Sequence, residues 1–268
     1  MRKINVVKVG GAVLEDPSAL KIFLNAFASV EGHKILVHGG GREATHLSER
    51  LGIETKMIDG RRITDEQTLD IVTMVYGGLI NKKVVAHLQM LGINSIGLCG
   101  ADANLIISNK RPLLNGIDYG FVGDVKKIET NIISLLLDNN ITPVIAPLSY
   151  SGNGGLLNTN ADTIAAEIAK SISKQNDVTL TYCFELPGVL RNPEDKDTVI
   201  RHIDSTTFEQ LASEGIITGG MLPKIENALD TVEKGGVKRV LITGYAQLGD
   251  KNTGTEITTC PIKAIDRC

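Results

Sequence analysis

Apolar positions along this chain switch repeatedly between a period of two and a period near that of a helix, with glycines at the switch points. Ile4, Val6, Val7 and Val9 form a β-branched run that stops at Gly10-Gly11, which predicts a buried strand closed by a tight turn. Leu20, Phe23, Leu24 and Phe27 then recur at helical spacing. Ile35–Val37 predicts a second strand, closed by His38-Gly-Gly-Gly41. This alternation implies a largely parallel sheet covered by helices.

The same reading continues down the chain. Residues 55–63 alternate about Asp59-Gly60 and predict a hairpin. Thr64-Asp-Glu-Gln67 fits a capping box, Thr64 bonding forward and Gln67 reaching back, and opens a long helix that Gly92 stops. Ile96–Leu98 reads as a third core strand, and residues 101–129 as irregular hairpins over the sheet edge. A short helix over 130–139 leads to a buried strand, Thr142–Pro147. Asn160 caps a helix whose apolar face is Ala161, Ile164, Ala165, Ile168, Ala169 and Ile172. Val178–Phe184 is a strand, and a helix begins near Ser205. Pro223 suits the first position of the next helix. Strands at Arg239–Ile242 and Thr255–Ile257 close the pattern.

Composition narrows the class. Charged residues at 22% and hydrophobic ones at 42% are those of an ordinary globular protein. A net charge of −3 gives no support for a nucleic-acid or anionic-membrane partner. No apolar run reaches membrane-spanning length, and Ile4–Val9 is too short for a signal peptide. Cys99, Cys183, Cys260 and Cys268 share no metal-like spacing and suggest no disulfide scaffold, so a reducing cytoplasm is expected.

Candidate chemistry gathers at the glycines. Gly10-Gly11 and Gly39–Gly41 let backbone amides approach an anion. Lys8, two residues before the first turn, is either a cation beside such a ligand or a plain strand-end charge. His38 reads as a base or as a packed strand-end residue. Arg62 can grip a carboxylate in bidentate fashion, or stand as a solvated hairpin charge. Asp162 suits the positive end of its helix, and capping by Asn160 leaves Asn158 unexplained. Lys224, near a helix start, is unfavourable unless a polyanion lies close. Neither a Walker sequence nor a protein-kinase signature is present, so any phosphate cradle comes from the glycine turns.

Lys8-Val-Gly-Gly11, His38-Gly-Gly-Gly41, Gly60-Arg-Arg-Ile-Thr64, Asn158-Thr-Asn-Ala-Asp162 and Gly219-Gly-Met-Leu-Pro-Lys224 occur in an order that resembles the amino acid kinase family. Together they resemble its N-acetylglutamate kinase branch, from the first strand to Thr253-Gly-Thr255. The resemblance implies an α/β fold, an open three-layer α/β/α sandwich with a mainly parallel central sheet and two lobes. Residues 1–173 would form the acyl-glutamate-binding lobe with the dimer interface, and 174–268 the nucleotide lobe. The implied activity is ATP-dependent phosphorylation of the side-chain carboxylate of N-acetyl-L-glutamate, a step of arginine biosynthesis.

By the same resemblance, Lys8 and Lys224 stabilise the phosphoryl group in transit, Asp162 orients them, and Gly10 and Gly11 supply backbone donors. Gly40, Gly41, Arg62 and Asn158 match the positions that hold the acylated glutamate. Glu185, Leu186, Pro187, Gly188, Val189 and Leu190, with Ile216, Ile217 and Thr218, match the nucleotide site. Magnesium would accompany ATP, held mainly by the nucleotide, with no metal site on the protein. A glutamyl carboxylate is ionised above about pH 4.3, so no general base is required. A cytoplasmic homodimer insensitive to arginine is expected, because Met1–Lys3 leaves no room for the helix that links inhibited members into hexamers.

Two stretches depart from the family pattern. Arg61 stands where an apolar residue, usually Leu, is found. It either meets a charged acyl tail, which would make the substrate N-succinyl-L-glutamate, or faces solvent. Tyr182–Gly188 replaces a Thr-Asp-Val-Pro-Gly type sequence, with Phe184 in place of a small polar residue and Glu185 one methylene longer than Asp. A reading of another class is a non-catalytic amino-acid-sensing domain of the same fold.

Overall fold

The computed structural model describes residues 1–58, 61–250 and 252–259. The strands of the first half are β1 (Arg2–Val9), β2 (His33–His38), β3 (Met57–Ile58), β4 (Arg61–Arg62), β5 (Ser95–Leu98), β6 (Ile106–Lys110) and β7 (Gly123–Ile128). Those of the second are β8 (Thr142–Ile145), β9 (Leu148–Tyr150), β10 (Leu156–Asn158), β11 (Asn176–Phe184), β12 (His202–Ile203), β13 (Arg239–Gly244) and β14 (Thr255–Ile257). The helices are α1 (Gly11–Glu15), α2 (Pro17–Ser29), α3 (Gly41–Arg50), α4 (Glu66–Val72), α5 (Asn81–Met90), α6 (Thr130–Asp138), α7 (Ala161–Ser173), α8 (Ser205–Ser213) and α9 (Leu222–Glu233).

The main sheet runs β12-β14-β13-β11-β1-β2-β8-β5. All its pairings are parallel except β13 with β14. β1 is central, aligned with β11 from Arg2↔Asn176 to Val9↔Cys183. Strand alternation then sorts side chains to two cores. On one face Ile4, Val6, Ile35, Val37, Val178 and Leu180 pack with α7 and α9. On the other Val7, Val9, Leu36 and Cys183 pack with α2 and the α4–α5 region. Helices on both faces make the three layers expected from the sequence.

This geometry has a direct consequence for Lys8. It continues the row of Ile4 and Val6, so it points to the face of α7 and α9 rather than that of α2. Tyr182 and Phe184 continue the corresponding row of β11 on the same face. Parallel strands also bring the loops after β1, β2 and β11 to one edge of the sheet, where such folds bind ligands.

Several local expectations change. Asp65, not Thr64, caps α4, accepting from the Thr68 amide at 2.8 Å. Thr64 is withdrawn from that role because its backbone pairs with Tyr119 and Phe121. The long helix is interrupted: Thr73–Ile80 is a π-helical segment between α4 and α5 that contains Gly77-Gly78. β5 is an edge strand, with Ile96 38% exposed, and not a core one. Residues 101–129 contribute β6 and β7 to a separate sheet ordered β10-β9-β6-β7. Helix α9 begins at Leu222, so Pro223 takes its second position. The predicted hairpin is β3–β4, and its turn Asp59-Gly60 lies outside the described residues, as do Cys260 and Cys268. Cys99 and Cys183 are free thiols. Among the described residues no helix is long and apolar enough to cross a membrane.

Candidate active site

Two lysines from distant parts of the chain meet over one aromatic ring. Lys8 extends from the end of β1, and its side chain is 8% exposed. Its Nζ lies 2.7 Å from Asp162 Oδ1 and 5.5 Å from the centre of the Phe184 ring. Lys224, in the first turn of α9, holds its Nζ 4.1 Å from the same centre. Asp162 sits in the first turn of α7, where the helix end favours a negative charge, and Asn160 caps that helix through the Thr163 amide at 3.0 Å. The Lys8 contact is an ion pair rather than an aligned hydrogen bond, so Asp162 Oδ1 retains its acceptor capacity. Lys224 has no carboxylate within ion-pair distance among the described residues. Burial pulls its ammonium below the ordinary lysine range, against the opposing pull of Asp162.

The glycine turns stand beside this group. Gly39 donates to Val9 O at 3.1 Å, which ties the second turn to the first. A Cβ added at Gly11 would lie 3.9 Å from both Gly40 N and Gly41 N, so three amides border one small volume at the starts of α1 and α3. Such a concavity suits an anion. Gly10 does not serve as expected: its N–H donates to Cys183 O at 3.2 Å, fixing β1 to β11. A Cβ at Gly40 would come within 2.6 Å of Ile80 Cδ1 and 2.8 Å of Tyr76 Cδ1. Only glycine fits there, because the π-helical segment turns Tyr76 and Ile80 toward the loop.

Arg62 is buried. Its guanidinium donates to Gly41 O at 2.7 Å, Thr45 Oγ1 at 2.8 Å and Thr55 Oγ1 at 3.2 Å. All three acceptors are neutral, and among the described residues no carboxylate lies within ion-pair distance of it. A buried guanidinium held by neutral oxygens is prepared for a carboxylate brought by a ligand. Tyr76 abuts it; burial raises the phenol above its ordinary range, and the nearby guanidinium works against that. Asn158 donates to Thr64 Oγ1 at 3.0 Å, and Thr64 donates to Arg62 O at 3.3 Å, so Asn158 and Arg62 belong to one network.

Arg61 is exposed. As the neighbour of Arg62 in β4 it points to the opposite side of the strand, which removes the geometric reason for pairing it with a ligand's acyl tail. His38 is fully buried, its ring between Gly39 O at 2.8 Å and Asn81 Nδ2 at 3.1 Å. Burial pushes it down to about 4, so it is a neutral strut under the glycine loop and not a base.

The sequence-predicted nucleotide residues separate into two groups. Glu185, Leu186 and Thr218 are exposed, with Pro187 and Ile216 partly so. Val189, Leu190 and Ile217 are core residues, and Gly188 is packed so closely that a Cβ would meet Val199 and Thr255. These four support the loop from beneath instead of facing solvent. Tyr76 and Phe184 were not among the expected site residues. Phe184 carried a signal as a bulky departure from a small polar pattern, whereas Tyr76 was hidden inside an unbroken helical periodicity.

A model of the amino acid kinase family matches residues 3–244. The acetylglutamate kinase of Cytophaga hutchinsonii is 57% identical over 262 residues, covering 96% of this chain and 99% of that protein. That of Bacteroides thetaiotaomicron is 52% identical over 255 residues, covering 95% and 98%. The crystal structure of smu.665 from Streptococcus mutans aligns with a TM-score of 0.77 at 30% identity, covering 96% of this chain and 99% of that one. These likenesses do not favour the succinyl-glutamate or sensing-domain readings.

Proposed function

The chain belongs to the amino acid kinase family, and from that premise we infer that it is an enzyme that phosphorylates the side-chain carboxylate of N-acetyl-L-glutamate at the expense of ATP. The observation that carries this reading is the convergence of Lys8 and Lys224 with Asp162, beside a buried Arg62 whose partners are all neutral. The arrangement serves phosphoryl transfer, which needs positioning and charge neutralisation more than covalent help.

In this reading Arg62 takes the α-carboxylate end of the substrate, with Asn158 and the amides of Gly40 and Gly41 fixing the remainder. The γ-phosphoryl group passes between Lys8 and Lys224 while Gly11 N–H donates to it and Asp162 orients the lysines. The nucleotide lies across Glu185–Leu190 and Ile216–Thr218, in the second of two lobes divided near residue 174. Magnesium neutralises phosphate oxygens when bound. Among the described residues no group of three or more His, Cys, Asp or Glu side chains is placed to hold a metal ion. Exposed Met74, Leu79, Met90 and Ile96 on the π-helical segment, α5 and β5 support a homodimer through that edge. A cytoplasmic place in arginine biosynthesis accords with the free thiols.

The test is trapping of the acyl phosphate with hydroxylamine. ATP-dependent hydroxamate is expected with N-acetyl-L-glutamate, and far less with free glutamate or aspartate. No hydroxamate from N-acetyl-L-glutamate would overturn the reading. Light scattering reads the dimer, and a monomeric mass refutes it.

A further inference from the structure

We propose that Phe184 is a positioning residue of this site, its ring face holding the Lys8 and Lys224 ammonium groups directed at one point, which rests on reading those lysines as the phosphoryl clamp. The site contains two ammonium groups, and among the described residues the carboxylate in ion-pair contact there, Asp162, touches Lys8 and not Lys224. The charged groups around Lys224 are Lys8 from β1, Asp162 from α7 and Glu185 at the end of β11. Lys224 therefore experiences burial and a like charge with no direct ion pair. What it does have is the Phe184 ring, with its Nζ 4.1 Å from the centre.

The chemistry of a ring differs from that of a carboxylate at this position. An aromatic face attracts a cation through its quadrupole and carries no formal charge. An ion pair with a carboxylate would have to be exchanged for phosphate, and a second negative group would repel the incoming nucleotide. The ring stabilises the ammonium while its N–H groups stay available to phosphate oxygens. Phe184 is itself held in place: it is buried, and Tyr182 stacks on it at 6.4 Å with an 18° tilt. Its Cδ1 lies 3.9 Å from the position of a Gly10 Cβ, so the ring abuts the first glycine turn. The Tyr182 hydroxyl donates to the Asp162 carbonyl at 3.4 Å, joining the aromatic pair to the helix that carries the shared carboxylate.

Fluorination tests the ring face with little change of shape. Phe184 is replaced by 4-fluoro-, 3,5-difluoro- and 3,4,5-trifluorophenylalanine, with Phe184→Tyr and Phe184→Leu as outer controls. The expected result is a stepwise fall of kcat, reaching about tenfold at three fluorines, with KM for N-acetyl-L-glutamate within about twofold. Lys224, followed by NMR of the labelled side chain, should titrate at progressively lower pH along the series. Phe184→Tyr should restore kcat to within about threefold of the parent, and Phe184→Leu should not. A flat response in both kcat and the Lys224 titration overturns the proposal, as does a Phe184→Tyr as impaired as Phe184→Leu. Absence of hydroxamate with the parent enzyme would remove the kinase reading instead, and the lysine titration would still decide whether the ring holds the charge.

Discussion

Replacing Lys8 by methionine tests the clamp most directly. Methionine keeps the apolar stem that fills space at the end of β1 and removes only the ammonium group. The ammonium is 2.7 Å from Asp162 in a side chain 8% exposed, so water cannot easily take its place. Loss of one preorganised donor to a charged transition state in such a site typically costs about 2.7–4 kcal/mol, a fall in kcat of about 10²–10³. The same interaction is absent from the ground-state complex with acylglutamate, so kcat and kcat/KM should fall together. Folding suffers less. The Asp162 carboxylate sits at a helix N-terminus, whose positive end compensates part of its charge. A loss of about 1–2 kcal/mol is expected, below the 3–5 typical of breaking a fully buried pair. The hydroxamate assay at saturating substrates reads the first effect and calorimetry the second. A folded Lys8→Met enzyme with kcat within about fivefold of the parent refutes the lysine clamp.

Further outcomes follow from the same geometry. Arg62→Lys should raise KM for N-acetyl-L-glutamate by about 10–100-fold and change kcat little, since it removes a bidentate ground-state contact of about 1.5–3 kcal/mol; an unchanged KM contradicts the assignment. Gly40→Ala should destabilise the protein by about 1–3 kcal/mol, because the new methyl falls within 2.8 Å of Ile80 and Tyr76; an unaltered melting temperature would show that the loop has room. His38 titrates near 4 when folded against 6.5 when free, so the unfolded chain binds the extra proton between those values. Stability should therefore fall by about 3 kcal/mol as pH drops through that window, and His38→Gln should abolish that step in denaturant titrations at several pH values.

Much of the fold was legible because it is written in local periodicity. The apolar runs of β1 and β2 that stop at glycines marked them as buried strands, and the α7 pattern, with its Asn160 cap, was visible residue by residue. Both glycine turns were legible for the same reason, since a run that stops at consecutive glycines has few other uses. The failures are equally specific. The capping box assigned to Thr64 looked as good as the Asp65 cap that forms, because the choice depends on the Thr64 backbone donating to Tyr119 O and accepting from Phe121 N–H, far along the chain. Helical spacing through residues 66–90 conceals the π-helical segment, which adds one residue per turn without changing which residues are apolar.

The sequence by itself determined the α/β class, the glycine loops, and the candidates Lys8, Arg62, Asp162 and Lys224. Tertiary structure decided which of these meet. Placing β11 beside β1 brings Phe184 to the end of the Lys8 row, and packing α7 and α9 on that face delivers Asp162 and Lys224 to the same ring. Tertiary packing also places Val189, Leu190 and Ile217 in the core and buries Arg62 while Arg61 stays exposed. The β1–β11 pairing joins segments more than 150 residues apart, about which a local hydrophobic period carries no information, and it is strand order that turns strand-end and helix-end charges into one site.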